Sequence, residues 1–458
     1  MENTYVMKNT NEKIIDNYPH VSHIVTFLLF VYVFNHYMEL GTRIELLGKI
    51  RFEWILGLLL TVFGIFTGNI FRLGDNRRLL IAVLFLYIAV AIQVPMSQDF
   101  DHSAVIFVER FVKLSFMALF INAFVRSPLH MKIFIAGFLL ACMKLGQEGL
   151  VGKVTGSMMW ENQGVMRLHG HGEIYGHPNS LSGNALGTLP FLYFLFPLFT
   201  WPIKSGMILQ FIFAMNIVVF TGSRTGYVGF MSLLGYVLLK GGNIIRILPL
   251  VCGLFIVGAF LVPAQYMDRF ETIYTGKDIE GGSIDTRKQI MKDAVEIFIS
   301  NPLGVGVGAF PAVRNRTFGR SQDTHNMYLE IITNTGIQGM IAFLALIVVL
   351  YKSHGNLEVR YKNLLKRTEL FKGGGGLDSG NMAQVAKHIA DLRFMGAICQ
   401  AVKLYLTMRL VLGIFGMDLY ETYWWFIIGL TMAMGNIYTH AENKTDSLKN
   451  LVVQDALI

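Results

Sequence analysis

The hydrophobic positions of the chain fall in long runs that polar segments interrupt. A membrane span needs about 20 mostly apolar residues. Runs of this kind predict about twelve membrane-spanning helices, at roughly 21–38, 54–71, 79–96, 104–125, 131–146, 181–201, 206–221, 225–240, 245–263, 326–350, 393–414 and 421–438. The first run lacks a convincing small-residue cleavage site, so we expect it to be retained. The pattern therefore predicts an all-α fold, a polytopic helical membrane bundle.

The composition agrees with this pattern. Hydrophobic residues make up 53% of the chain and charged residues only 15%, whereas soluble chains contain about 25% charged residues. The net charge is +8, but the basic residues do not gather on one soluble domain. Anionic membrane lipids are therefore the expected partners of these charges, and nucleic acid is not.

Lys and Arg in the short loops indicate the orientation, because they accumulate on the cytoplasmic side. With a cytoplasmic N-terminus, the basic loops fall on one side, at 72–78, 126–130, 202–205, 241–244 and 351–392. The opposite segments 97–103 and 415–420 contain neither Lys nor Arg. Segment 39–53, which mixes both signs of charge, is the exception and is predicted to be interfacial.

This orientation predicts five regions of the chain. They are helices 1–9 within 1–263, a large periplasmic loop at 264–325, helix 10 at 326–350, a cytoplasmic loop at 351–392, and helices 11 and 12 with a cytoplasmic tail within 393–458. In the large loop, the helical spacing of apolar residues in TRKQIMKDAVEIFIS (286–300) predicts an amphipathic helix. Asp285 or Thr286 is its expected N-cap. The nearby Arg314, Arg316 and Arg320 are interpreted as solvated loop charges.

Two arginines are candidates for anion binding. Arg224 in TGSRTG (221–226) lies between two apolar runs. Ionisable groups at membrane depth are costly and often functional. A loop arginine that extends its charged end to the membrane surface fits this position equally well. Arg287 alone fits a solvated helix residue better. An anion site requires the two arginines to converge, since forked guanidinium groups match phosphate oxygens.

His325 is the candidate base. It precedes the predicted helix 10, and a neutral imidazole there can take a proton from a hydroxyl. Taken alone, a helix-end histidine with satisfied nitrogens is the simpler interpretation, with Asp323 or Thr324 capping the helix. Gly336 and Gly339 would allow close helix packing.

Other polar features have simpler interpretations. HGHGEIYGHPN (169–179) matches no standard zinc spacing, so locally bonded histidines are preferred over a metal site. Glu109 and Lys113, one helical turn apart, are expected to pair. Cys142, Cys252 and Cys399 lie in apolar runs and are interpreted as small buried hydrophobes. We predict no metal and no cofactor.

Three segments taken together resemble a known family. HNMYLEIITNTGIQG (325–339) has a His–Asn pair, an aromatic–Leu pair and Gly-x-x-Gly at the end of the large loop. The approach 286–310 has an Arg, a loop helix, Asn-Pro and a Gly-rich turn, and SRTG (223–226) supplies a Ser-Arg segment. Over about 221–345 the chain resembles the bacterial O-antigen ligase and O-antigen polymerase superfamily.

The resemblance implies a metal-independent, inverting glycosyltransferase of the bacterial inner membrane, with its active site facing the periplasm. The donor would be a glycan on undecaprenyl diphosphate, and the acceptor a glycan or lipid A-core. Arg224 and Arg287 would bind the diphosphate and His325 would be the catalytic base. The ligase and polymerase versions both remain open. A polysaccharide transporter or flippase is the alternative, and it predicts interrupted helices in two related halves, which the sequence does not show.

Overall fold

The computed structural model describes residues 18–72, 74, 76–162, 164–240, 263–267, 271, 283–371, 379–416 and 419–455. Its first helices are α1 (His23–Met38), α2 (Leu40–Arg43), α3 (Glu45–Lys49), α4 (Phe52–Phe66), α5 (Arg77–Ile92), α6 (Phe100–Ile106), α7 (Lys113–Phe124) and α8 (Pro128–Thr155). Strands β1 (Met159–Asn162) and β2 (Val165–Leu168) follow as an antiparallel hairpin. The remaining helices are α9 (Gly172–Tyr175), α10 (Pro178–Leu195), α11 (Trp201–Phe220), α12 (Arg224–Lys240), α13 (Ser283–Ser300), α14 (Phe310–Phe318), α15 (Met327–Phe371), α16 (Ser379–Leu412) and α17 (Thr422–Asp455).

The membrane character of the chain is visible in these helices. Within the described ranges, five helices are long and apolar enough to cross a membrane: Pro128–Thr155, Pro178–Leu198, Trp201–Phe220, Met327–Phe371 and Gly380–Leu412. Two shorter apolar helices are His23–Met38 and Phe52–Phe66. The protein is therefore an all-α membrane protein, while the count of about twelve spans stays a prediction. The predicted span at 245–263, apart from its last residue, and Cys252 lie outside the described residues.

The core of the bundle is aromatic and closely packed. Helix α17 packs along α7, and the ring of Phe426 lies 5.1 Å from that of Phe138 and 5.7 Å from that of Phe134. A Cβ on Gly429 would stand 2.9 Å from Cα of Ala118. Small residues at such contacts let helix backbones approach closely, which is how helices gain packing energy in lipid. Cys142 and Cys399 are buried in this core, as predicted.

A polar cluster closes one end of the bundle beside α1, α4, α7 and α17. His36 Nδ1 lies 3.0 Å from Glu53 Oε1, and its Nε2 lies 2.8 Å from Thr422 Oγ1. Lys113 Nζ lies 2.8 Å from Glu53 Oε2 but 4.0 Å from Glu109. The expected pairing of Glu109 with Lys113 is thus marginal, because the carboxylate of Glu53 is the closer partner.

The long helix α15 is not regular throughout. At Gly336 the backbone takes φ 68° and ψ −169°, so the span expected at 326–350 is interrupted. The freed backbone oxygens of Thr333 and Asn334 accept hydrogen bonds from the N–H groups of Val305 and Gly306, at 2.9 and 3.0 Å. Gly336 does allow a close approach, as predicted, but the element that approaches it is the loop backbone at Leu303 and not another helix. A Cβ added to Gly336 would lie 2.3 Å from Leu303 C.

The predicted amphipathic helix in the large loop is present as α13, which buries Ile290, Ala294 and Ile297. It begins at Ser283, so Asp285 lies in its first turn and neither Asp285 nor Thr286 is the N-cap. A second loop helix, α14, was not expected. The segment 351–392, expected as a loop, continues α15 to Phe371 and begins α16 at Ser379.

The interpretation of the three loop arginines as solvated charges is wrong for Arg314. Its side chain is 1% exposed and Asp293 is 2% exposed, with Arg314 Nε 2.8 Å from Asp293 Oδ2. Arg320 adds a partly exposed contact to the same carboxylate at 3.2 Å, and Arg316 donates to the backbone oxygen of Gln98 at 2.9 Å. The buried pair joins α13 to α14 and so shapes the loop.

Candidate active site

A cavity of about 380 Å³ lies where several helices end or begin. It is lined by the first turns of α10, α12 and α17, the C-terminal part of α16, the ends of α1 and α9, the segment between α6 and α7, and His325 just before α15. Its polar lining includes His36, Arg110, His177, His325, Arg409 and Glu421. Arg110 and Glu421 form an ion pair at its edge. A cavity of this size with convergent polar groups is the kind of place where a ligand binds.

His325 reaches this cavity from an unusual backbone conformation. Its φ is 48°, in the left-handed region that non-glycine residues seldom adopt. Asn326 caps α15 beside it: Asn326 Oδ1 accepts the N–H groups of Tyr328 and Leu329 at 2.9 and 3.1 Å, and its Nδ2 donates to Ile414 O at 2.9 Å. The prediction that Asp323 or Thr324 caps the helix is therefore wrong. The cap and its bond to the end of α16 fix the strained residue.

The surroundings of His325, which is itself an exposed residue, favour the neutral form of its imidazole. The pKa of His325 is lowered, first by partial burial and then by the positive charges of Arg287 and Arg314, while Asp323 opposes the shift. Burial also raises the pKa of the Asp323 carboxyl, against the effects of the Thr324 N–H and of His325. A general base must be unprotonated to accept a proton, so these shifts suit that role.

Neither candidate arginine is among the residues that line the cavity, but each lies near one that does. Arg287, half-buried on α13, lies close enough to His325 to lower its pKa. Arg224 is the first residue of α12 and is also half-buried, and its neighbour Thr225 lines the cavity with His325. Ser223 Oγ accepts the N–H of Gly226 at 3.0 Å and thereby caps α12. The structure thus places Arg287 near His325 and Arg224 beside Thr225, while the convergence of the two arginines on one anion stays a prediction.

Sequence reasoning missed the buried Arg167, which supports this region. From β2, Arg167 Nε donates to Thr221 O at 2.8 Å and Nη2 donates to Asn179 Oδ1 at 3.0 Å. Ser223 Oγ donates to the same Asn179 oxygen at 2.8 Å. The hairpin, the start of α10 and the turn before Arg224 are therefore held together. No local pattern could reveal this, because the partners are 12 to 54 residues apart along the chain.

Arg409 was also missed, although the sequence contains a signal for it. It is a buried cation inside the predicted span 393–414, and such residues are often functional. Its guanidinium carbon lies 4.0 Å from the ring centroid of Tyr423 and 5.0 Å from that of Tyr405. Arg409 Nη2 also donates to Tyr405 Oη at 3.1 Å. Aromatic faces therefore hold this positive charge at the wall of the cavity.

The histidine-rich segment shows local bonds of the predicted kind. His169 Nδ1 lies 3.0 Å from Gly170 O, and His177 Nδ1 accepts the N–H of Asn179 at 3.2 Å. Across the described ranges, no group of three or more His, Cys, Asp or Glu side chains is placed to hold a metal ion. His177 differs from the other histidines of this segment because it also lines the cavity.

Comparison with known families agrees with the resemblance found in the sequence. Residues 209–344 match the family model described as O-antigen ligase. This segment contains Arg224, Arg287, His325 and the break at Gly336. No match was found among curated protein sequences. The family match confirms the resemblance to the O-antigen ligase and polymerase superfamily, and with the membrane-spanning helices it indicates a multi-pass membrane enzyme of the glycosyltransferase kind.

Proposed function

We propose that this protein, whose segment 209–344 matches the O-antigen ligase family, transfers a glycan from undecaprenyl diphosphate to a sugar hydroxyl. The reaction would take place at the periplasmic face of the bacterial inner membrane, in the synthesis of surface polysaccharide. The observation that supports this most is the placement of His325. It lines a cavity shared with Thr225, next to Arg224, and the charge of Arg287 lowers its pKa.

The proposed chemistry follows from these side chains. His325 takes the proton of the acceptor hydroxyl, and the resulting nucleophile attacks the anomeric carbon of the donor sugar. The bond from that carbon to the diphosphate oxygen breaks, and the electron pair leaves with the lipid diphosphate. Arg224 and Arg287 stabilise the negative charge that develops there. Direct displacement from the opposite side inverts the anomeric carbon.

Arginine variants test the donor site. We expect Arg224→Ala and Arg287→Ala to weaken use of the lipid-linked donor, because each removes a cation that faces the leaving group. Charge-assisted contacts of this kind contribute about 10- to 100-fold in kcat/KM. Lys288→Ala is the matched control, since Lys288 is exposed on the same helix. Donor kinetics at the wild-type level in both arginine variants would refute the assignment.

A deletion strain separates the two versions of the activity. If the protein is a ligase, the strain keeps lipid-linked polymer but does not attach it to lipid A-core. If it is a polymerase, only single repeat units remain. Complementation by wild-type protein but not by His325→Ala is expected. Normal surface glycan in the deletion strain would contradict both versions, and intact polysaccharide transport by His325→Ala would favour the transporter alternative.

A further inference from the structure

His177 lies at the wall of the cavity with no role so far assigned to it. It ends the segment HGHGEIYGHPN and is the N-cap residue of α10. The cavity that it lines also contains His325. The two residues are near enough for His325 to contribute to the lowered pKa of His177.

The helix cap determines which nitrogen of His177 is protonated. Nδ1 accepts the backbone N–H of Asn179 at 3.2 Å, and a nitrogen that accepts a hydrogen bond has no proton of its own. The proton of the neutral ring is therefore on Nε2, which makes Nε2–H a donor. The tautomer follows from the hydrogen-bond geometry.

Further hydrogen bonds hold the start of α10 and so help to position this donor. Asn179 Oδ1 accepts hydrogen bonds from Arg167 Nη2 at 3.0 Å and from Ser223 Oγ at 2.8 Å. Turning the His177 ring over would break the cap bond to Asn179. The same network holds the turn before Arg224, so His177 and Arg224 belong to one supported unit.

The surroundings of His177 favour an anionic partner over a neutral one. Although His177 is an exposed residue, partial desolvation of its ring, then Arg167 and His325, lower its pKa to about 4. The ring of His177 is therefore neutral near pH 7. It would not repel His325 once His325 has taken a proton from the acceptor. The other charged groups that line the cavity are Arg110, Arg409 and Glu421. The N-terminus of α10 adds a partial positive charge, which stabilises a nearby anion.

We propose that His177 is a substrate-binding residue whose Nε2–H donates a hydrogen bond to an oxygen of the donor's diphosphate. This proposal rests on the proposed function and deepens it, since it adds a neutral donor to the two arginines. His177 is not a second base, because its Nδ1 is occupied by the helix cap.

Two variants separate binding from capping. Asp and Asn cap helices as well as any residue, so His177→Asp and His177→Asn keep the acceptor for the Asn179 N–H. Asp has no N–H donor, and the Asn amide is too short to reach the position of Nε2. With purified full-length protein, we expect both variants to unfold at the wild-type temperature. Their kcat/KM for the lipid-linked glycan should fall by about 10- to 100-fold, with the acceptor KM unchanged.

A binding measurement makes the result independent of turnover. The probe is undecaprenyl diphosphate without glycan, and both variants should bind it more weakly than wild type. His171→Asn alters the N-cap residue of α9 in the same segment, and His171 does not line the cavity, so this variant should bind it normally. Wild-type donor kinetics and binding in both His177 variants, or a change in acceptor KM alone, would overturn the proposal. Failure of the wild-type protein to transfer glycan would overturn the proposed function instead.

Discussion

At the scale of single residues, His325 illustrates what the sequence can and cannot predict. A histidine just before an apolar run is visible in the sequence, and so is its place at a helix start. Its left-handed φ of 48° is not, because that conformation depends on a bond between Asn326 and Ile414, which are 88 residues apart. Arg167 was missed for the same reason, whereas Arg409 could have been found as a cation inside an apolar span.

The pH dependence of transfer should follow His325. The base acts when neutral, and its pKa lies below the usual value near 6.5. Activity should therefore be constant near neutral pH and fall as the pH drops through that lowered pKa. Arg287→Gln removes a positive charge that disfavours protonation, so the acidic limb of its kcat/KM profile should move to higher pH.

The matched control for this shift is Lys288→Gln. Lys288 is exposed and lies 3.7 Å from Asp285 on the same helix, so its removal should leave the profile in place. An acidic limb that moves to lower pH in Arg287→Gln, or does not move, would show that Arg287 does not act on His325.

At the scale of elements, the structure of the large loop depends on one buried ion pair. Asp293→Asn should leave the Arg314 cation buried without its charge partner, and breaking such a pair costs about 3–5 kcal/mol. Hydrogen exchange should report earlier opening of α13 and α14. Transfer should fall as well, because α13 holds Arg287.

A double variant checks that the charge causes the effect. Asp293→Leu combined with Arg314→Leu leaves no buried charge, so it should open less readily than Asp293→Asn. If the double variant were the less stable of the two, packing rather than charge would explain the loss.

The break in α15 is the second element that matters. Gly336→Ala combines a positive φ with a contact of 2.3 Å to the Leu303 backbone, so we expect it to lower the thermal unfolding temperature and to separate the Leu303 loop from α15. Gly396→Ala on α16 is the control, because nothing lies within 4 Å of its added Cβ, and it should be neutral or stabilising. Equal stability of the two variants would contradict this account of the break.

These elements show why a hydrophobic pattern predicts spans better than it predicts their shape. The apolar run at 326–350 predicted a helix, but it could not show that Thr333 and Asn334 give their carbonyls to a loop 28 residues earlier in the chain. The helical spacing in 286–300 did predict α13, because its apolar residues face a local core. The charge of Arg314 led us to predict a solvated side chain. Its burial depends on Asp293, an ion-pair partner across that core that the local sequence does not reveal.

At the scale of the whole molecule, the composition predicted a helical membrane protein and the loop charges predicted its orientation. The orientation can be measured with single cysteines introduced into a Cys252→Ser background, because the two other native cysteines, Cys142 and Cys399, are buried. In spheroplasts, a membrane-impermeant maleimide should label Ser321→Cys, which is exposed before α15. Lys366→Cys, exposed near the other end of α15, should react only after permeabilisation. The reverse pattern would place the cavity on the cytoplasmic side.

The central claim is that His325 activates an acceptor hydroxyl for transfer from a lipid-linked glycan. The most direct measurement is transfer by purified protein, given glycan on undecaprenyl diphosphate and a defined acceptor. His325→Asn is the best variant, because Asn tolerates the left-handed backbone but cannot act as the base. We predict that wild type transfers glycan and that this variant, with an unchanged unfolding temperature, is slower by about 10²- to 10⁴-fold. Transfer by His325→Asn at the wild-type rate would contradict the account.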